Sequence, residues 1–452
     1  MFLRTSIQLL FSFERPAAYA LVAFFMFGAF AASAQTSPQV IRFVAPGFDL
    51  SESASKDSAG NVYVAGSVPQ SNAQTAFAVL KYNPQGDLVW VAHYDALAGA
   101  FNGSAIAVAV DAVGDVYAIG RVQPELVSYA HDFLIVKFNS SGVEQWANRI
   151  SNGTGRRIVV GSDGSVYATG SSQGNWLTIK YSPTGKRLWA QGSSIPGQPM
   201  DMEIDSEDTI IVTGFSRPTL NSPIVDFTTL KYDASGNELF RTTFSDTAES
   251  DDIPFDLDID AQGNTWVTGL TQPGPYDPQV PVTLKYGPAG DLQASIRDAA
   301  AGGFSVDADA ANNVYVAGFS AAGKFSSSGV PIWEQALSFP ARKILVDSSG
   351  SSFVAGSQYY SGDYLTVKYD PQGNQIFQHT FNGPGNGNDQ VSDIILDNSE
   401  NLFVIGSSRI DSYVFEDILL LKFARNAIPN PQPLAAPSDL MAISSERRSA
   451  YL

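Results

Sequence analysis

The chain has 452 residues, 44% hydrophobic and 12% aromatic but only 16% charged, with a formal charge of −18. It is too apolar and aromatic to stay disordered, and its acidity repels nucleic acid and anionic membrane surfaces alike. The lack of any cysteine removes disulfide scaffolds, zinc ribbons, iron–sulfur clusters and thiol nucleophiles together.

Residues 1–34 read as an export signal. Arg4 and Arg15 mark a basic start, an apolar stretch follows from Ala17, and Ala32-Ser33-Ala34 supplies small residues for cleavage before Gln35. The alternative is an uncleaved anchor, since the run is nearly long enough to span a bilayer. No later segment is apolar enough to cross. The sequence therefore predicts an exported protein of the periplasm, cell surface or extracellular space, with no membrane insertion after cleavage.

A repeated phrase then dominates the chain. NVYVAG at Asn61–Gly66 recurs as DVYAIG (Asp115–Gly120), SVYATG (Ser165–Gly170), TIIVTG (Thr209–Gly214), NTWVTG (Asn264–Gly269), NVYVAG (Asn313–Gly318), SFVAG (Ser352–Gly356) and NLFVIG (Asn401–Gly406). Each copy precedes a lysine–aromatic pair: Lys81-Tyr82, Lys137-Phe138, Lys180-Tyr181, Lys231-Tyr232, Lys285-Tyr286, Lys324-Phe325, Lys368-Tyr369 and Lys422-Phe423. The closing glycines lie 38 to 55 residues apart, the range of propeller blades.

Four short strands fit within each unit. The first ends on an aspartate such as Asp111 or Asp397, a D-x-x-G-N turn reverses the chain, and the repeated phrase forms the second strand. A hydrophobic run such as Asp132–Phe138 is the third. After a turn of N-P-Q-G type, the fourth carries an aromatic: Trp90, Trp146, Trp189, Phe240, Trp333 or Phe377, with Ala294 in its place in unit five. A lone sheet with two apolar faces must stack on neighbours. The expected fold is all-β, an eight-bladed β-propeller of four-stranded antiparallel blades. Seven blades remain the alternative if the abbreviated sixth unit fails to form a sheet.

Unit eight lacks a fourth strand after Phe423, and the segment Gln39–Pro46 offers one. Phe43 precedes Asp57 by the same 14 residues that separate Trp333 from Asp347. Residues 40–45 are therefore predicted to complete blade eight and latch the chain ends. The expected domains are 1–34 signal, 35–425 propeller and 426–452 a Pro-rich, disordered tail.

These repeats resemble the bacterial SBBP β-propeller repeat family, with its D-x-x-G-N-V-Y-V-T-G consensus, over roughly residues 40–425. The resemblance implies a propeller fold and export, and it implies no particular catalytic activity.

A residue present in every unit serves the blade, because one site needs one constellation and not eight. The lysine–aromatic pairs are thus structural, the ring between blades and the lysine stem along the surface. The turn aspartates bond their own backbone two residues on. Enzymatic motifs are scarce: His93, His131 and His379 are scattered, without H-E-x-x-H or a serine elbow. SPTGKRLW at Ser182–Trp189 resembles the tryptophan-docking phrase of quinoprotein propellers, but no cysteine pair accompanies it, so no quinone cofactor is expected.

Two departures from the repeat carry the functional expectation. The 2–3 and 4–1 connections vary in length and emerge on one face, which would carry Tyr129, Tyr276, Tyr359, Tyr360 and Tyr413 beside Glu249, Asp251 and Asp252. The other departure is acidic. Counting back two and four places from the turn position finds Asp201 and Glu203, Asp256 and Asp258, Asp307, and Asp393, alternating toward the central channel. A water-filled channel, or one holding a hard cation such as calcium, would relieve their repulsion. The resulting expectation is a monomeric, non-catalytic, cofactor-free binding propeller for a protein or glycan partner. The alternative is a polysaccharide- or peptide-acting lyase or hydrolase using acids of the channel mouth.

Overall fold

The computed structural model describes residues 37–44, 50–69, 74–94, 102–124, 130–192, 194–247, 250–274, 276–297, 300–359, 361–387, 389–409 and 416–425. The predicted signal and tail lie outside these residues. The described chain forms eight four-stranded antiparallel sheets, each a sequential meander. The first strands of blades 1 to 8 are Leu50–Lys56, Gly103–Val110, Gly153–Val160, Gly197–Ile204, Asp251–Ile259, Gly303–Ala308, Ala341–Val346 and Gln390–Leu396. Each contacts the first strand of the next blade, and blade 8 contacts blade 1, so the ring closes. The short sixth unit forms a complete sheet of its own, which excludes the seven-blade alternative.

The latch forms as the repeat register requires. Gln39–Phe43 pairs antiparallel with Glu416–Phe423, placing Ile41 opposite Leu420. Ile41 is buried among Tyr82, Phe403 and Leu420, in a core shared by blades 8 and 1. Gln39–Phe43 is thus the outer edge strand of blade 8, and it covers the edge of Glu416–Phe423 that would otherwise be bare.

The repeated residues join one blade to the next. Trp90 of blade 1 donates its indole N–H to the Ser140 carbonyl in the 3–4 turn of blade 2, at 3.2 Å. Lys81 reaches the same carbonyl at 3.4 Å. Trp146 and Lys137 converge likewise on Pro183 O, and Trp189 and Lys180 on Ala234 O. Lys422 of blade 8 reaches Pro84 O in blade 1, repeating the joint at ring closure. The turn glycine is required there: a Cβ on Gly142, whose φ is +81°, would meet the Trp90 ring at 3.0 Å. Ala294 departs from the aromatic pattern because Ile296 takes over this packing, lying against Gly329 of blade 6 and buried.

The lysines correct one expectation. Most are buried, Lys368 being only 2% exposed, and do not run along the surface. They pair with aspartates near the 1–2 turn, Lys137 with Asp115 at 2.9 Å and Lys368 with Asp347 at 3.4 Å, and sit over the ring of the second strand. The turn aspartates behave as expected: Asp57 Oδ1 accepts the N–H groups of Ala59 and Asn61, both at 2.9 Å.

Candidate functional site

The first strands of all eight blades line a central cavity of about 540 Å³. Every first strand breaks register with its neighbour at one place, between the residues six and four before the turn position. Examples are Ser51/Ser53, Gly155/Arg157, Pro254/Asp256 and Ala341/Lys343. The extra residue of each bulge turns into the channel. Three tiers of side chains result. The tier two before the turn holds Glu203, Asp258 and Asp307. The tier four before holds Arg157, Asp201, Asp256, Ser305, Lys343 and Asp393. The bulge tier, nearest the variable-loop face, holds Glu52, Ile106, Arg156, Met200, Phe255, Phe304, Arg342 and Ser392.

The predicted channel acids are all present, and most are committed to the neighbouring blade. A first strand leaves alternate N–H groups unpaired on its inner edge. Asp201 Oδ2 accepts the N–H of Leu257 in blade 5 at 3.0 Å. Asp256 Oδ2 accepts the N–H of Val306 at 3.0 Å and the hydroxyl of Ser305 at 2.8 Å. Ser305 Oγ accepts from Ile344 N in turn, Asp258 from Ala308 N, Asp307 from Val346 N and Asp393 from Ala54 N. Wherever these bonds form, the register is the same: the residue four before the turn takes the N–H three before the turn in the next blade. The residue two before takes the N–H one before.

Countercharge comes from the same tier. Arg157 Nε donates to Asp201 Oδ1 at 2.5 Å, and Lys343 Nζ to Asp256 Oδ1 at 2.9 Å. Although blades 3 and 7 stand opposite each other in the ring, the two cations reach acids of the adjacent blades 4 and 5. These pairs add a further source of relief beside the two expected from the sequence, channel water and a hard cation such as calcium. The chain supplies its own positive groups, and among the described residues no set of three or more His, Asp or Glu side chains is placed to hold a metal ion.

Burial dominates the titration of this wall. It pushes Asp201 up to about 6 against the pull of Arg157, and Asp258 up to about 6. Glu203 rises to about 8, first through burial and then through Asp201 and Asp258, and no hydrogen bond opposes the rise. Asp307 and Asp393 are also raised by burial. Asp256 stays below its ordinary value because Lys343 and its other hydrogen-bond donors outweigh burial.

The described loop-face candidates, Tyr276, Tyr359, Asp251 and Asp252, do not gather at one place. Tyr129, Tyr360, Tyr413 and Glu249 lie outside the described residues. Tyr276 is 97% exposed and Asp251 is exposed, accepting Val225 N at 3.3 Å. Asp252 is fully buried and caps its own loop, accepting Asp246 N at 2.9 Å and the Ser250 hydroxyl at 2.8 Å. Its role is structural, as is that of Asp389 at the matching place in blade 8, which accepts Gly383 N and Arg409 N. Tyr359 alone of the described candidates lines the loop-side mouth, a recess of about 620 Å³ with Glu52, Phe304 and Arg342 in its wall. Its hydroxyl is fixed on Phe319 O at 2.8 Å.

Sequence reasoning missed Arg156, Arg157, Arg342 and Lys343. The same backward count that found the acids reaches Arg157 and Lys343, whereas Arg156 and Arg342 depend on a bulge that no residue pattern announces.

No family model and no curated protein matches this chain. Solved structures do. The chain is similar to Sqt1 from Chaetomium thermophilum, at 10% identity over 86% of this chain and 98% of that one, with a TM-score of 0.57. The Dos1 propeller aligns at 7% identity over 85% and 94% with a TM-score of 0.58. BamB from Moraxella catarrhalis aligns at 10% identity over 85% and 99% with a TM-score of 0.51. At such identities the likeness is one of fold: this chain is an eight-bladed β-propeller.

Proposed function

We propose that the protein is an exported, non-catalytic binding propeller whose loop face receives a protein partner. The observation that carries this reading is the division of labour in the channel. Most of its carboxylates are engaged in holding blades together, while at the loop-side mouth Arg342 is exposed and, among the described residues, has no such bond. The periodic D-x-x-G-N turns support reading the blades as SBBP-like repeats, and the basic, apolar and small-residue succession of residues 1–34 supports export. Glu203 is the one observation favouring the lyase or hydrolase alternative, because a carboxyl pushed up to about 8 can act as a general acid.

A photo-crosslinker placed at Tyr276 or Tyr359 tests the reading, with Gln85 and Ser140 in the 3–4 turns of the opposite face as controls. Adducts with a protein from the loop-face positions alone are expected. Equal labelling from both faces, or none from Tyr276 and Tyr359, contradicts it. N-terminal sequencing of the exported product tests cleavage before Gln35.

A further inference from the structure

The bulge tier places Arg156 of blade 3 and Arg342 of blade 7 on opposite walls of the channel just inside the loop-side mouth. Among the described residues neither guanidinium makes a direct ion pair, and the acid acting on both is Glu52. Arg156 Nη2 touches only the thioether sulfur of Met200, at 3.3 Å, and its buried Nε has no acceptor. Arg342 is exposed and makes no ion pair among the described residues. Arg121, on the second strand of blade 2, adds a third positive charge close enough to act on Arg156. Glu52 is the lone acid of this tier, and burial pushes its carboxyl up. Three guanidinium groups thus face one carboxylate in a chain of charge −18. Arginine donors left open inside a recess suit an incoming carboxylate, which can accept two parallel N–H bonds.

An apolar wall adjoins this charge. Phe255 meets Phe304 edge-on at 5.4 Å, and Phe304 meets Phe319 at 4.3 Å and 63°. Phe319 is 38% exposed, and Tyr359 is pinned to its carbonyl. Mutually tilted phenyl rings form a cleft for a side chain, whereas a sugar ring is better met by one flat aromatic face. Ser357, Gln358 and Gln390 around the rim offer polar groups to a peptide backbone.

We propose that the loop-side mouth is a carboxylate site for an acidic peptide segment, held between Arg156 and Arg342 with a neighbouring apolar side chain against Phe304 and Phe319. This rests on the loop-face binding reading and gives its partner a chemistry.

The test is calorimetric titration of the full exported protein with three probes. They are a short acetylated peptide amide alternating phenylalanine and glutamate, its glutamine counterpart, and a galacturonate oligomer. The glutamate peptide is expected to bind, to weaken as salt rises, and to lose about tenfold or more in affinity in Arg156→Gln and in Arg342→Gln. Arg342 is exposed, so its variant keeps the fold, as an unchanged thermal midpoint would verify. Equal binding of the glutamine peptide, unchanged affinity in both variants, or preference for the galacturonate overturns the proposal. Loop-face crosslinking that persists without glutamate-peptide binding defeats the carboxylate site alone. Loss of both defeats the binding reading as well.

Discussion

Asp393 of blade 8 accepts the backbone N–H of Ala54 in blade 1 at 2.9 Å, across the joint where the ring closes. The same contact joins Asp201 to Leu257 and Asp256 to Val306. A propeller must bring eight inner edges together without hydrogen-bonding them as one sheet, and these carboxylates answer the N–H groups left over. The acids that look like a ligand cluster in the sequence are one solution to an edge problem.

Asp256→Ala is predicted to destabilise the protein by about 3–5 kcal/mol, because it strands the Lys343 ammonium and removes the acceptor for Val306 N and Ser305 Oγ. Asp256→Asn keeps one acceptor and is expected to cost less. Urea titration followed by tryptophan fluorescence measures both.

The latch makes a separate prediction. Ile41→Ala is expected to cost about 2–4 kcal/mol, since Ile41 is buried in the core of blades 8 and 1. Deleting residues 39–43 bares the edge of Glu416–Phe423 and is expected to give dimers or aggregates in size-exclusion chromatography. A monomeric, equally stable deletion would show the latch to be dispensable.

The eight blades and the latch were legible because repetition averages over local ambiguity: eight phrases and eight lysines share one frame. The position of the channel acids was legible too, by counting from each turn. Their partners were not, because a backbone N–H in the next blade leaves no mark in the residue pattern. Arg157 and Lys343 stand in the same frame, but a count confined to acids passes over them. Asp252 was misread for a different reason: an acid in a variable loop looks available, and only its burial shows that it caps the loop. Phe304 and Arg342 owe their place to a bulge, a feature of backbone rather than composition.

The pH dependence follows from the raised carboxyls. Glu203 has a folded value of about 8, above its ordinary one. Its contribution is therefore fully present below about pH 4.5 and is lost as pH rises through about 8. Asp201 and Asp258, raised to about 6, lose theirs between about pH 4 and 6. Asp256, which is lowered, acts oppositely and is lost in acid. Wild-type protein is expected to melt lower at pH 9 than at pH 6, and Glu203→Gln to remove most of that difference. An unchanged slope in the variant would assign the alkaline loss elsewhere.

Calcium is predicted to leave the thermal midpoint unmoved at millimolar concentration, and chelation likewise, since Asp201 and Asp256 already pair with Arg157 and Lys343 and, among the described residues, no three His, Asp or Glu side chains are placed to hold a metal ion. A midpoint that climbs with calcium and falls with chelator would reinstate a cation in the channel.

Hydrogen exchange at single amides addresses the stitched inner edge most directly. The N–H groups of Ala54, Leu257 and Val306 have carboxylate acceptors in the preceding blade. The matching amides of Val108, Ile158 and Met202 face Ser53, Ala107 and Arg157, which offer no carboxylate. Slow exchange in the first set, faster exchange in the second, and release of Leu257 alone in Asp201→Ala is the predicted result. Uniform exchange across both sets, unaltered by Asp201→Ala, would contradict the account.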